Sequence, residues 1–145
     1  MMSKLSLSEL IDRMRGIDFV MLSTQTETGA ISARPMRTNG DIGDCGTCYL
    51  YAYEDARLVA EIARNPAIGL TFQGDRGLFG SQPLFVAVDG RAELIRDRAA
   101  IKAHWQQSLD KWYENGSDTP GIVLIKVNAK RLHYWTGQEN EEIVL

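Results

Sequence analysis

Cysteine and histidine are scarce in this chain, with two of each in 145 residues. A closed zinc site draws a full tetrahedral set from such residues, and His104 and His133 stand at no finger-like spacing from each other or from the cysteines. The cysteines form Cys45-Gly46-Thr47-Cys48. A redox dithiol of that pattern works at a helix N-terminus, where the dipole lowers a thiol pKa. Here the pair follows the turn-rich Asn39-Gly40-Asp41-Ile42-Gly43-Asp44 and precedes the strand-like Tyr49-Leu50-Tyr51-Ala52-Tyr53. It reads as a hairpin turn that holds two thiols, and no metal is expected. Clustered Lys and Arg are also absent, and the net charge of −3 speaks against a nucleic-acid partner. The longest apolar runs, Phe19–Leu22 and Gly121–Ile125, are far too short to span a bilayer. The N-terminus lacks the apolar segment of a signal peptide, so a cytoplasmic location is expected. No Pro/Ser-rich linker, charge block, internal repeat or low-complexity stretch divides the chain, which implies one domain over residues 1–145.

What is present is patterned. Ser6 and Glu9 make a capping box for a first helix carrying Leu7, Leu10, Ile11 and Met14 on one face, with Gly16 as the stop. Ile17–Thr24 and Ala30–Arg37 read as a hairpin about Glu27-Thr28-Gly29, and Pro35 should put the second strand at an edge or a bulge. Tyr49–Glu54 is a third strand, after which Asp55 is expected to cap a short helix ended by Asn65-Pro66. Ala67–Gln73 and Leu84–Ile95 are strands joined by a connection holding the glycine-rich Gly74–Ser81, which has neither GxGxxG nor a Walker lysine. Asp97 caps an aromatic helix predicted to run to Asn115, with Ile101, Trp105, Ser108, Leu109 and Trp112 at helical spacing. Two last strands, Gly121–Val127 and Arg131–Thr136, are expected to meet at Asn128-Ala129-Lys130. About seven hairpin-connected strands with inserted helices favour a mainly β fold, an antiparallel barrel with peripheral helices.

Several residues invite a chemical reading. Arg34 stands in a strand among small and apolar neighbours, a costly place for a charge unless something anionic meets it. It is either a ligand contact or an edge arginine paired with a surface carboxylate. Trp135, in Tyr134-Trp135-Thr136-Gly137, offers a flat wall and one N–H donor, for a ligand, for barrel closure or for a dimer interface. Trp105 and Trp112 read as packing residues, and His104 as a partly exposed helix residue without a catalytic companion.

The order of Ser32-Ala33-Arg34-Pro35-Met36, the aromatic strand with its short helix, and the terminal Leu-His-Tyr-Trp-Thr-Gly resembles the flavin mononucleotide (FMN) binding split-barrel family, nearest its general stress protein 26 branch, related to pyridoxamine 5′-phosphate oxidase. The resemblance spans nearly the whole chain. It implies an antiparallel split barrel, a homodimer with the flavin site at its interface, and FMN, or FAD, as cofactor. By resemblance Arg34 meets the phosphate or ring edge, Pro35 and Met36 line the ring with the Tyr51–Ala52 backbone, and Trp135 comes from the other subunit. Relatives often place Thr and Ser-x-Lys around the phosphate, where this chain has Ala52, Ala56 and Leu58. Arg57 lies beside the lysine position and can supply the cation. Phe85 replaces a polar ring-edge partner of the full-length oxidases, and the chain stops soon after Trp135, so their reaction is not expected.

The resemblance leaves several functions open. One is a flavin-dependent oxidoreductase acting on an unknown small substrate, with no catalytic residue assigned. Another is a non-catalytic stress protein that holds a flavin or another flat ligand such as haem. The third is a scaffold dimer that has lost ligand binding.

Overall fold

The computed structural model describes residues 5–74 and 82–145. The glycine-rich connection expected over residues 74–81 falls outside them except for Gly74. Helix α1 (Leu7–Arg15) begins with the expected reciprocal cap. The Ser6 side chain accepts from the Glu9 N–H, and the Glu9 carboxylate accepts from the Ser6 N–H. Its stripe of Leu10, Ile11 and Met14 is fully buried against the sheet.

Strands β1 (Phe19–Gln25), β2 (Ile31–Arg37), β3 (Cys48–Tyr53), β4 (Ala67–Gly74), β5 (Leu84–Ile95), β6 (Ile122–Thr136) and β7 (Glu139–Val144) form one antiparallel sheet. Its path is β2-β1-β4-β5-β6-β3, with β7 also paired to β6. Strand alternation points Val20, Leu22, Leu70, Phe72, Val86 and Val88 inward. The curled sheet thereby surrounds a core plugged by α1 and by Leu58, Val59 and Ile62 of α2 (Arg57–Arg64). Strands β2 and β3 end the path, and among the described residues no ladder joins them. The barrel is split there. Pro35 lies on the edge strand, where its missing N–H costs no ladder bond.

The expected break at Asn128-Ala129-Lys130 does not occur. β6 is a single strand of 15 residues because β5 pairs with it from Leu124 to Thr136, across the expected break, absorbing one extra residue in a bulge at Asp89/Gly90. A side chain on Gly90 would place its Cβ 2.7 Å from the Asn128 carbonyl oxygen, so only glycine allows the two backbones to close there. On its other edge β6 carries β3 along its first part and β7 along its second. Strand β7 has no counterpart among the strands expected from the sequence.

Two helix expectations are also corrected. Asp55 does not cap α2; the N-cap is Ala56, with no side-chain hydrogen bond. The helix expected from Asp97 to Asn115 stops at His104, as α3 (Arg98–His104), and continues as short 3₁₀ turns at Gln107–Leu109 and Gly116–Asp118. Trp105 is extended (φ −70°, ψ 136°), and its ring meets Tyr51 and Tyr113 edge-on at 5.0 and 5.4 Å. Its indole N–H donates to Asp110 Oδ1 at 2.8 Å. Packing into this aromatic cluster overrides helical spacing. The result is a second small core of Tyr51, Ile101, Leu109, Ile122 and Leu124 on the outer side of β3 and β6.

Candidate functional site

The split between β2 and β3 is lined on the outside by the segment following α3. In β3, Leu50 and Ala52 enter the barrel core, so Tyr49, Tyr51 and Tyr53 face outward. Tyr51 donates its O–H to the Ile101 carbonyl at 2.7 Å. Burial, with Asp41 and Tyr113 adding to it, raises its pKa, so the phenol is a neutral structural donor. Tyr113 packs on Tyr53 at 5.3 Å, and it too is held neutral, first by burial and then by Tyr53. Together with Phe19, Pro35, Met36, Arg37, Leu109 and Trp112, the side chains of Tyr51, Tyr53 and Tyr113 line a cleft of about 360 Å3. Such a volume, apolar walls and one cation suit a flat organic ligand.

Arg37 is that cation. Its guanidinium lies 5.6 Å from the Phe19 ring centre and 5.7 Å from that of Trp112. Its Nε donates to Asn39 Oδ1 at 3.0 Å, which also accepts from Ser108 Oγ at 3.3 Å. Asn39 adopts a left-handed φ of 54°, the only non-glycine among the described residues to do so. Asparagine tolerates that conformation better than most residues, and here it turns its amide toward the arginine.

Arg34, on the same strand, is placed quite differently. Its terminal nitrogens donate to the Leu22 carbonyl (3.2 Å), Thr24 Oγ1 (2.9 Å), Ser32 Oγ (3.0 Å) and Glu61 Oε1 (3.0 Å). Both are thereby saturated by protein acceptors. Glu61, on α2, is 3% exposed and also accepts from Thr24 Oγ1 at 2.8 Å. Arg34 therefore pairs with a carboxylate, as one sequence reading allowed, but with a buried one rather than a surface one. It ties β1, β2 and α2 together.

The remaining sequence candidates separate. Pro35, Met36 and Tyr51 line the cleft. Ala52 and Leu58 are buried in the barrel core. Arg57 stands exposed in the first turn of α2, with Nε 3.7 Å from Glu61 Oε2. The α2 N-terminus follows the cleft rim directly, since the Ala56 N–H donates to the Tyr53 carbonyl at 2.9 Å. Trp135 lies on the outer face of the sheet, stacked on His133 at 4.1 Å between ring centres. It borders a second groove, of about 480 Å3, that shares Phe19 and Pro35 with the cleft. His104 stacks on Tyr49 at 3.7 Å and holds Asp41 Oδ2 at 3.0 Å. Cys45 is exposed and Cys48 buried, flanking a tight turn closed by the Gly43 N–H to the Thr47 carbonyl at 2.8 Å. Burial, aided by Asp41, pushes the Cys48 thiol up to about 12, the opposite of an activated thiol. Among the described residues no group of His, Cys, Asp or Glu could hold a metal ion.

The model of the family described as pyridoxamine 5′-phosphate oxidase like matches residues 6–145. The chain belongs to that family. A protein related to general stress protein 26, from Clostridium acetobutylicum, has the same fold (TM-score 0.81, 21% identity, 96% of this chain and 94% of that one). So does general stress protein 26 of Bacillus anthracis (TM-score 0.76, 22% identity, 97% and 100%). A haem-binding protein of Mycobacterium smegmatis superimposes with a TM-score of 0.76 at 16% identity, over 99% of this chain and 60% of that one. No curated protein matches in sequence. The antiparallel split barrel expected from the resemblance is therefore the fold of this pyridoxamine 5′-phosphate oxidase-like protein.

In this family member the cleft residues Phe19, Arg37, Tyr53 and Trp112 escaped the sequence reading as ligand contacts. A signal for Arg37 existed. It stands two residues after Pro35, hence on the same face of β2, and it pairs in register with Phe19. Trp112 had no such signal, because its place depends on the helix ending early.

Proposed function

We propose that this protein is a flavin-binding member of its family and that the cleft at the split takes the isoalloxazine ring of FMN. The observation that carries this reading is the set of aromatic and aliphatic walls at the cleft, Phe19, Pro35, Met36, Tyr51, Tyr53 and Trp112. They meet the demand of a flat, largely apolar ring. Of the two arginines expected near the phosphate, only Arg57 remains available for it. Arg34 is spent on Glu61, but the first-turn N–H groups of α2 have no side-chain cap and Arg57 stands beside them. An uncapped helix N-terminus with an adjacent arginine is a phosphate site in miniature.

A bound flavin supplies the electron-transfer chemistry, and the protein supplies position and field. The family tie and the aromatic cleft support an oxidoreductase acting on a small substrate. We also propose a homodimer. Registered rows such as Pro35–Met21–Thr71–Ala87–His133 and Gln73–Phe85–Trp135 form a continuous outer face. On it Met21, Phe85 and Trp135 are all exposed. Covering that face with a second copy would hide these side chains and bring another Trp135 toward the cleft.

The test is a titration of the purified protein with FMN and riboflavin, followed by anaerobic reduction with NADH or NADPH. FMN should bind roughly tenfold tighter than riboflavin, the lower bound for one charge-assisted contact, and Arg57→Ala should erase that preference. Absence of binding by either flavin sinks the reading. A second reading, a carrier of haem or another flat ligand, is favoured by the missing polar side chains at Ala52, Ala56 and Leu58 and by the haem-binding relative. Bound flavin that no reductant turns over, or binding of haem in preference to flavin, selects it.

A further inference from the structure

We infer that the Phe19–Arg37–Trp112 sandwich is the anion-reading element of the cleft, and that the small substrate of this site is a planar aromatic carboxylate. The inference rests on the flat-ligand reading of the cleft; it assigns the Phe19–Arg37–Trp112 end to the substrate and leaves Pro35, Met36, Tyr51 and Tyr53 to the flavin ring.

The two arginines of β2 have opposite fates. Arg34 meets a buried carboxylate and uses both terminal nitrogens on protein acceptors. Arg37 lines the cleft, and among the described residues no carboxylate pairs with it. Among the described residues its side chain donates only from Nε to Asn39, which fixes the plane of the guanidinium and leaves the terminal fork to the cleft. That bond is itself supported by the left-handed Asn39 and by Ser108 Oγ, a backbone conformation and a loop contact that serve to hold the arginine. Phe19 and Trp112 lie against the guanidinium within cation–π range, and both rings are more than half exposed. Aromatic side chains left open to water around an oriented cation make a poor packing arrangement and a good receptor. The rings can stack with a planar molecule, and the guanidinium fork matches a carboxylate on its edge in bidentate fashion.

Placement distinguishes this charge from a phosphate tail. The uncapped α2 N-terminus and Arg57 lie beyond Tyr53, at the rim of the cleft, whereas Arg37 is part of its wall. A ligand read by Arg37 carries its negative charge on or beside the ring.

The probes are 2-naphthoate and its neutral isostere 2-naphthamide, titrated by quenching of intrinsic tryptophan fluorescence, with calorimetry as the second readout. Wild-type protein should bind the carboxylate at least about tenfold more tightly than the amide, the lower end for a charge-assisted contact. Arg37→Met should remove that discrimination, with naphthoate losing at least about tenfold more affinity than naphthamide, and Trp112→Leu should weaken both probes. Equal binding of the two probes to the wild type overturns the inference without any variant, so misfolding of Arg37→Met cannot shelter it. It is overturned as well if neither probe binds. Discrimination that survives Arg37→Met also defeats it, as does an Arg37→Met protein changed only in flavin binding, which would assign the arginine to the flavin's own edge. Flavin titration is a separate arm: naphthoate discrimination without flavin affinity keeps the inference and fells the FMN reading, and the reverse result does the opposite.

Discussion

Removing Arg34 should destabilise this protein rather than disarm a ligand site. Arg34→Met deletes the guanidinium that faces Glu61, leaving a carboxylate on a side chain only 4% exposed. Glu61 would retain the Thr24 hydroxyl at 2.8 Å and the distant Arg57 at 3.7 Å. Breaking one partner from a buried ion pair costs about 3–5 kcal/mol, and the partial exposure of Arg34 argues for the lower end. About 3 kcal/mol corresponds to a fall in melting temperature of roughly 6–12 °C for a chain of this size. Urea unfolding of four proteins, the parent, Arg34→Met, Glu61→Gln and the double variant, measures the coupling directly. The double variant should regain part of the loss, because a neutral amide no longer buries an unpaired charge. FMN affinity of the still-folded Arg34→Met protein should stay within about twofold of the parent, a difference of only ~0.4 kcal/mol. An unchanged unfolding midpoint together with a tenfold weaker FMN complex would refute this account and return Arg34 to the phosphate.

Alkaline pH should destabilise the protein through Cys48. Its folded pKa is raised from 9.0 to about 12, so the stability this thiol contributes is full below pH 9 and is lost as pH rises toward 12. Between pH 7 and pH 10 the loss from this group is about 1.4 kcal/mol, and Cys48→Val should flatten that part of the pH profile of chemical unfolding. Gly90→Ala forces a Cβ to 2.7 Å from the Asn128 carbonyl. It should cost about 1–3 kcal/mol by overpacking, and a neutral result would show that the bulge can move. Phe85→Lys with Trp135→Lys should convert the proposed dimer to monomer in sedimentation at micromolar concentration. A parent that is already monomeric there refutes the dimer.

The legible part of the fold was whatever local chemistry decides. The Ser6–Glu9 cap, the alternation in β1, β4 and β5, and the edge position implied by Pro35 each depend on residues close in sequence. The early end of α3 was not legible, because Trp105 leaves the helix to meet Tyr51, a residue distant in sequence. Nor was the continuity of β6, since Asn128-Ala129-Lys130 looks like a turn until β5 supplies a partner and Gly90 supplies the room. In the site, Pro35, Met36 and Tyr51 could be placed from the family's order of motifs. The fates of Arg34 and Arg37 could not, because each is set by a partner on another element: Glu61 on α2 for one, the turn residue Asn39 and the rings of Phe19 and Trp112 for the other.

The unbroken course of β6 divides the molecule mechanically. A strand bonded to β5 from Leu124 to Thr136, and on its free edge to β3 and then β7, works as a beam without a hinge. Both the floor of the cleft and the Trp135 face are bolted to it. The stretch from Trp105 to Gly121 is held otherwise: its backbone bonds outside the strands are short local turns, apart from one from the Glu54 N–H to the Gly121 carbonyl. Amide protons in β6 should accordingly exchange with deuterium at the rate of global unfolding, and those around Trp112 much sooner. If the cleft takes a ligand as proposed, the stretch from Trp105 to Gly121 is the part expected to yield, while the barrel beneath it keeps its shape.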